Sequence, residues 1–186
     1  MSELIVTITG SSGAGKSTLE KNLGNHYGGG RVVTITTRPP RKGEIPGVHY
    51  HFETLESLGA RTDLLWNVTI HHHNYLVSDE AFHKALEETR GVAFVSITPE
   101  RHVFVRDRFG RQGLKTLAIH LKPPSEVELR RRLSDRGESL EMIEKRLQDS
   151  TEFEKNARLV PNLHFIEPQK AESTFIEVLK LIQAAQ

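Results

Sequence analysis

Gly10-Ser11-Ser12-Gly13-Ala14-Gly15-Lys16-Ser17 fits the pattern G-x-x-x-x-G-K-[ST]. Leu4–Thr9 (LIVTIT) precedes it, a β-branched and almost wholly apolar run that reads as a buried strand. Residues 17–26 follow, with Leu19 and Leu23 four apart on one helical face. Strand, glycine loop and helix in this order make a cradle for phosphate. The glycines let successive backbone N–H groups turn inward, and the start of the helix adds partial positive charge. Lys16 can reach the β- and γ-phosphates of a nucleotide, and Ser17 offers its hydroxyl to Mg²⁺. The expected triphosphate site is Gly10, Ser11, Ser12, Gly13, Ala14, Gly15, Lys16, Ser17 and Thr18, with Ser17 the metal ligand. A nucleoside triphosphate, expected to be Mg-ATP, is the implied ligand. A GTPase should show an N-K-x-D guanine motif, which is missing, and large ATPases need a longer chain, so a small kinase is the economical reading.

Outward from the loop the chain alternates. Residues 32–36 form a second β-rich run, and residues 92–97 (VAFVSI) and 116–121 (TLAIHL) are further buried-strand candidates. Helical patterns at 79–88 and 100–109 separate them. Pro123 and Pro124 end the last of these strands, and Ser125 can cap a helix over 126–136. A long helix over 140–159, a short strand at 164–166 and a helix over 172–184 complete the series. This alternation implies a parallel sheet covered by helices on both faces. Between Thr37 and Tyr75 the rhythm breaks: Pro39, Pro40, Gly43, Pro46 and Gly47 mark turns. Short runs at 50–52 and Leu64–Ile70 point to a small, more antiparallel lobe inserted into the core.

Composition excludes several classes. With 37% apolar and 26% charged residues the chain is not disordered. No apolar run approaches the roughly 20 residues that cross a bilayer, and Glu3 with no basic segment does not read as a signal peptide. The absence of cysteine excludes disulfides, thiolate metal sites and cysteine nucleophiles, and fits a cytoplasmic setting. A net charge of +1 from 25 basic and 24 acidic residues conceals segregation. Arg31, Arg38, Arg41 and Lys42 occur in a stretch with no acid before Glu44, and Arg130, Arg131, Arg132 and Arg136 crowd a second window. No extended basic surface for nucleic acid is evident. The triplet His71-His72-His73 is expected at a solvated loop edge, since adjacent strand residues point to opposite faces.

Two arginines three apart, Arg38 and Arg41, flank the rigid Pro39-Pro40 pair within Thr36-Thr37-Arg38-Pro39-Pro40-Arg41-Lys42-Gly43-Glu44, with Tyr50 and Phe52 downstream. Guanidinium groups suit bidentate phosphate recognition, and a tyrosine hydroxyl adds a donor. Here the sequence strongly resembles the guanylate kinase family, whose acceptor lobe carries T-T-R-x-P-R-x-G-E-x-x-G-x-x-Y-x-F. Asn74-Tyr75 before Ser78-Asp79-Glu80-Ala81, the segment Pro123-Pro124-Ser125…Leu129…Arg132-Leu133…Arg136-Gly137, and Lys145-Arg146-Leu147 continue the likeness in order. The resemblance implies an α/β fold of the P-loop NTPase type: three αβα layers, a parallel core sheet, an inserted acceptor-binding lobe and a helical lid. It implies a core with the loop at 1–36, the acceptor lobe at 37–78, core again at 79–124, the lid at 125–156 and the C-terminal core at 157–186. Arg38, Arg41, Tyr50 and Tyr75 match residues that hold the acceptor's monophosphate; Thr34 matches a hydroxyl position and Glu44 a glutamate near the acceptor. Arg132, Arg136 and Arg146 match lid arginines around the transferred phosphoryl group and join Lys16 as candidate catalytic residues.

Other positions depart from the family. Counting back from Tyr75, Trp66 falls where the family has a guanine-binding glutamate and Val77 where it has Ser or Thr. Ser96-Ile97-Thr98 replaces D-x-D, so Ser96 stands where an acid near Mg²⁺ is usual, and Phe165-Ile166-Glu167-Pro168 replaces I-V-N-D near the donor adenine. Guanine N1–H and N2–H₂ donors left unpaired would cost about 1–3 kcal/mol each. The expected protein is an ATP-dependent, guanylate kinase-like phosphotransferase, monomeric or dimeric, acting on GMP or dGMP by family default. Another or modified deoxynucleotide, or a ribose bisphosphate, is the alternative acceptor. A non-catalytic guanylate-kinase-like interaction module is the alternative of another class.

Overall fold

A computed structural model describes residues 3–186 except Lys42, Ala60, His71 and Arg90. Lys42 of the first basic window and His71 of the histidine triplet thus lie outside the described residues. The elements run β1 (Leu4–Thr9), α1 (Lys16–Tyr27), β2 (Ile35–Thr36), β3 (His51–Phe52), α2 (Leu55–Leu58), β4 (Leu64–Ile70), β5 (His73–Ser78) and α3 (Asp79–Thr89). They continue as β6 (Val92–Ser96), α4 (Pro99–Gly110), β7 (Lys115–Leu121), α5 (Glu126–Asp135), α6 (Leu140–Arg158), β8 (Leu163–Ile166) and α7 (Ala171–Ala185).

β1 explains the architecture. All six of its residues are buried, as expected of a parallel strand covered on both faces. It pairs in parallel with β6 on one side and β7 on the other, and β8 extends the sheet in the order β6-β1-β7-β8. Leu4, Val6 and Ile8 face Leu19 and Leu23 of α1 and Val178 and Ile182 of α7. Ile5, with Ala93 and Val95 of β6, packs against Phe82 and Leu86 of α3 and Val105 and Phe109 of α4. Fully burying each such side chain contributes about 1.5–3 kcal/mol. The result is a three-layer αβα core.

The second sheet has the order β3-β2-β5-β4, with β2 antiparallel to β5 and β4 antiparallel to β5. The β-rich run at 32–36 is not one strand. Arg31 bridges Phe94 of the core sheet and the Val32 N–H donates to the Phe94 carbonyl at 2.9 Å, whereas Ile35 and Thr36 pair with β5. Each sheet takes one end of the run, so the chain crosses between them there.

α5 and α6 form a helical hairpin whose interior is Leu129, Leu133 and Ile143, with Leu147 against them. Ser125 caps α5 by accepting from the Glu128 N–H, and Ser139 caps α6 by accepting from the Met142 N–H. The far end of α6 returns to the core, where Ala157 packs with Ala118 and Leu163. One helix therefore carries both hairpin and core contacts.

Candidate active site

The glycine loop joins β1 to α1. Gly10 and Gly13 have φ of 144° and 86°, and a Cβ would lie 2.7 Å from the Leu121 carbonyl oxygen at Gly10 and 2.4 Å from Leu129 Cδ1 at Gly13. The loop can thus lie tight against β7 below and α5 above only with glycine at both positions. Lys16 folds back along it, donating from Nζ to the Ser11 carbonyl at 3.0 Å and to that of Gly10. Burial lowers its pKa to about 8, Glu20 opposes this, and Arg136, Arg146 and Arg41 reinforce it. Four cations thus converge on the loop, an arrangement that an incoming polyphosphate would relieve.

A cleft of about 620 Å³ opens from this loop. Of the expected residues, Gly10, Ser12, Gly13, Gly15, Lys16, Ser17, Thr18, Thr34, Arg38, Arg41, Tyr50, Trp66, Tyr75, Ser96, Arg136 and Arg146 line it. On the lobe side, Arg38 grips Glu44 with both terminal nitrogens, Nη1 donating at 2.9 Å and Nη2 at 2.8 Å. Its guanidinium lies 5.3 Å from the Tyr50 ring centre, and Tyr50 meets Tyr75 edge-on at 6.2 Å. Glu44 also accepts the Arg41 N–H at 2.7 Å. Burial alone would raise the Glu44 pKa, but the Arg38 fork and the Arg41 N–H hold it below the usual carboxylate range.

From the helical hairpin, Arg146 donates to Ser12 Oγ at 2.5 Å and to Glu138. Arg132 donates to the Gly13 carbonyl at 2.9 Å and to Glu128 at 2.7 Å. Burial and then the nearby Arg41 lower the Arg136 pKa, against Glu138.

Five expected site residues do not line the cleft. Val77 is fully buried in the core and pairs with Trp66 across the β4–β5 ladder, so it packs beside the indole within the core cluster. Glu44 sits behind Arg38, which it orients. Arg132 holds the loop's backbone from outside. Ser11 is buried, and Ala14 packs on the core cluster. Conversely, His73 was expected at a solvated edge yet lines the cleft, as do Thr98, noted only as part of the altered D-x-D, and Arg101 and Phe153, which sequence reasoning did not single out. Arg101 carried a readable signal, since it sits on the first helical turn after the strand that ends beside the loop. Phe153 carried none.

Two buried histidines tie β1 to its surroundings. His120 shares hydrogen bonds with Thr9 Oγ1 at 2.7 Å and Glu154 at 2.6 Å, joining the strand that feeds the loop to α6. Thr7 Oγ1 and His102 Nδ1 are 2.9 Å apart. Burial, then Arg106, lower the His102 pKa from 6.5 to about 4, with Asp107 opposing. The native state therefore keeps His102 neutral while the unfolded chain protonates it, so this contribution to stability falls as pH drops from about 6.5 to about 4, by on the order of 3 kcal/mol in all. Denaturant unfolding at pH 7 and pH 4.5 should show the loss, and His102→Asn, which keeps a partner for Thr7, should lessen it. Equal losses in both proteins would mean that His102 is not the group responsible.

The guanylate kinase family model matches residues 2–162. The chain belongs to the guanylate kinase family. It is a nucleoside monophosphate kinase by that membership. It is 37% identical over 152 residues to the guanylate kinase of Ruegeria sp., covering 79% of this chain and 69% of that one. It is 38% identical over 148 residues to the guanylate kinase of Neisseria meningitidis serogroup A, covering 77% and 70%. The crystal structure of guanylate kinase from Anaplasma phagocytophilum superposes with a TM-score of 0.71 at 20% identity, covering 100% of this chain and 87% of that chain, which shows the fold.

The far end of the cleft is apolar. Trp66 packs its indole against Phe104 at 5.4 Å, edge-on, and lies 6.1 Å from Phe82. Val68, Ile70, Leu76 and Ile97 add apolar wall around it. Among the described residues no group of three His, Asp or Glu side chains is placed to hold a metal ion, and no helix is long and apolar enough to cross a membrane.

Proposed function

We propose that the protein transfers the γ-phosphoryl group of Mg-ATP to the phosphate of a small acceptor, GMP or dGMP by family default. The observation that carries this reading is the convergence of Lys16, Arg41, Arg136 and Arg146 between the glycine loop and the Arg38–Tyr50–Tyr75 wall. An acceptor phosphate is already nucleophilic, so positioning and charge neutralisation suffice. Lys16 would neutralise the β- and γ-phosphates, Arg136 and Arg146 the group in transit, and Arg38, Arg41 and the tyrosines would fix the acceptor. Mg²⁺ fits as an ion carried by ATP: the Ser17 hydroxyl faces the cleft at the first turn of α1, and the remaining ligands would be phosphate oxygens and water. Bound there, it supplies further charge neutralisation. Segments 37–78 and 125–156 are the acceptor lobe and lid in this reading, closing over the substrates to keep out water.

A different acceptor is the second reading, favoured by the apolar packing of Trp66 and the burial of Val77. An interaction module without catalysis is disfavoured by the intact Lys16 and Ser17. The test is ADP release from Mg-ATP against all common ribo- and deoxynucleoside monophosphates and ribose 1,5-bisphosphate. Acceptor-dependent release supports transfer; none with any compound overturns it.

A further inference from the structure

Six cationic side chains line the cleft: Lys16, Arg38, Arg41, Arg101, Arg136 and Arg146. Among the described residues the one carboxylate lining it is Glu138, which Arg146 engages. The transfer reading employs five of these cations, three at the loop and two at the acceptor phosphate. Arg101 is left over. It is half-buried on the first turn of α4, and its guanidinium makes no hydrogen bond or ion pair with another described residue. One turn along the same helix, Phe104 meets the indole of Trp66, which sets Arg101 on the Trp66 side of the cleft. Thr98 lines the same wall with no side-chain cap bond, whereas Ser96 Oγ, buried without a partner, lies at the end of β6 beside Ile8 of β1.

This end therefore offers a five-donor guanidinium and the Thr98 hydroxyl, and no carboxylate. Guanine's N1–H and N2–H₂ edge needs acceptors, which an arginine cannot be. A half-buried guanidinium with no counter-charge among the described residues, in a cleft already rich in cations, calls for an anion. We propose that Arg101 binds a second anionic group, so that the preferred acceptor carries phosphate at one end and a phosphate or carboxylate at the other. This rests on the transfer reading above and gives it a substrate class.

The test uses pairs of compounds that differ in that one group: UMP against orotidine 5′-monophosphate for a carboxylate, and ribose 5-phosphate against ribose 1,5-bisphosphate for a phosphate. Steady-state ADP release with Mg-ATP should give the doubly anionic member of one pair a KM at least about tenfold lower than its partner's. Arg101→Ala should erase that preference while leaving the KM for ATP within about twofold, and Arg101→Lys should restore part of it. Arg101 bonds to no other described side chain, so the variant should fold; its melting temperature confirms this. No preference in either pair, or a preference that survives in Arg101→Ala, overturns the proposal. So does a GMP preference that depends on Arg101, which would mean that the arginine reads guanine's O6 and N7 edge. Calorimetric binding of the same four compounds in the presence of a non-hydrolysable ATP analogue separates this proposal from the one it rests on. Arg101-dependent binding without turnover of any acceptor would overturn transfer and uphold the anion subsite.

Discussion

Lys16→Ala is expected to lower ATP turnover by at least about a thousandfold with every acceptor, while the protein stays folded. The ammonium is the sole lysine lining the cleft among the described residues, and it sits along the loop with its donors on the Gly10 and Ser11 carbonyls. Those bonds are to be exchanged for phosphate oxygens when a nucleotide enters. Removal of one preorganised neutral donor from a transition state typically costs 10²–10³ in rate, and a full charge aimed at the transferred group costs more. The fold should not suffer, because burial and three neighbouring arginines already disfavour the charged Lys16. Truncation relieves that repulsion, so the melting temperature should hold or rise. Turnover should be measured by ADP release, and the melting temperature by calorimetry. Retained turnover in a folded variant would remove the phosphate-loop assignment. Loss of turnover together with a large fall in melting temperature would point instead to a structural role.

The parallel core was legible because a buried strand and an amphipathic helix each write their period into the sequence. LIVTIT cannot alternate, so it must be covered on both sides, and β1 is buried throughout. The sheet order was not legible in the same way, since β6-β1-β7-β8 depends on which strands cross over. In the site, spacing along the chain picked out four of the five cleft-lining arginines, Arg38, Arg41, Arg136 and Arg146, but not their partners. Glu44 lies six residues from Arg38, and nothing in that interval says that the two form a bidentate pair and that the acid sits behind its arginine. Val77 does not line the cleft for a related reason. Counting along β5 gives its register, but not that its side chain is fully buried in the core cluster beside Trp66. The net charge of +1 misled most, because a whole-chain sum averages Glu126, Glu128 and Asp135 on the hairpin's outer face against the cations gathered inside the cleft. Arg130 and Arg131, which drew notice in the same basic window, are spent on those outer acids and on Glu144, whereas Arg136 turns inward.

Arg38→Ala is expected to raise the acceptor KM by about a hundredfold or more, with the KM for ATP within about twofold of its original value. The guanidinium has five N–H donors. Three are engaged: Nη1 donates to Glu44 and to the Pro39 carbonyl at 2.7 Å, and Nη2 donates once to Glu44. The Nε–H and the second Nη2–H remain, and they lie along one side of the planar group with the spacing that grips two phosphate oxygens. Glu44 is then a positioning residue that turns this free edge toward the cleft. Two charge-assisted hydrogen bonds at about 1.5–3 kcal/mol each set the size of the effect. Arg38→Lys should recover little of it, since an ammonium cannot fill both roles at once. Glu44→Gln keeps an oxygen acceptor but loses the bidentate pair, so it should raise the acceptor KM by a smaller factor and leave the KM for ATP alone. The acceptor found by the ADP-release screen serves for all three variants. If the KM for ATP rises in Arg38→Ala while that for the acceptor stays put, Arg38 belongs to the donor nucleotide, and the free edge of its guanidinium faces the wrong phosphate.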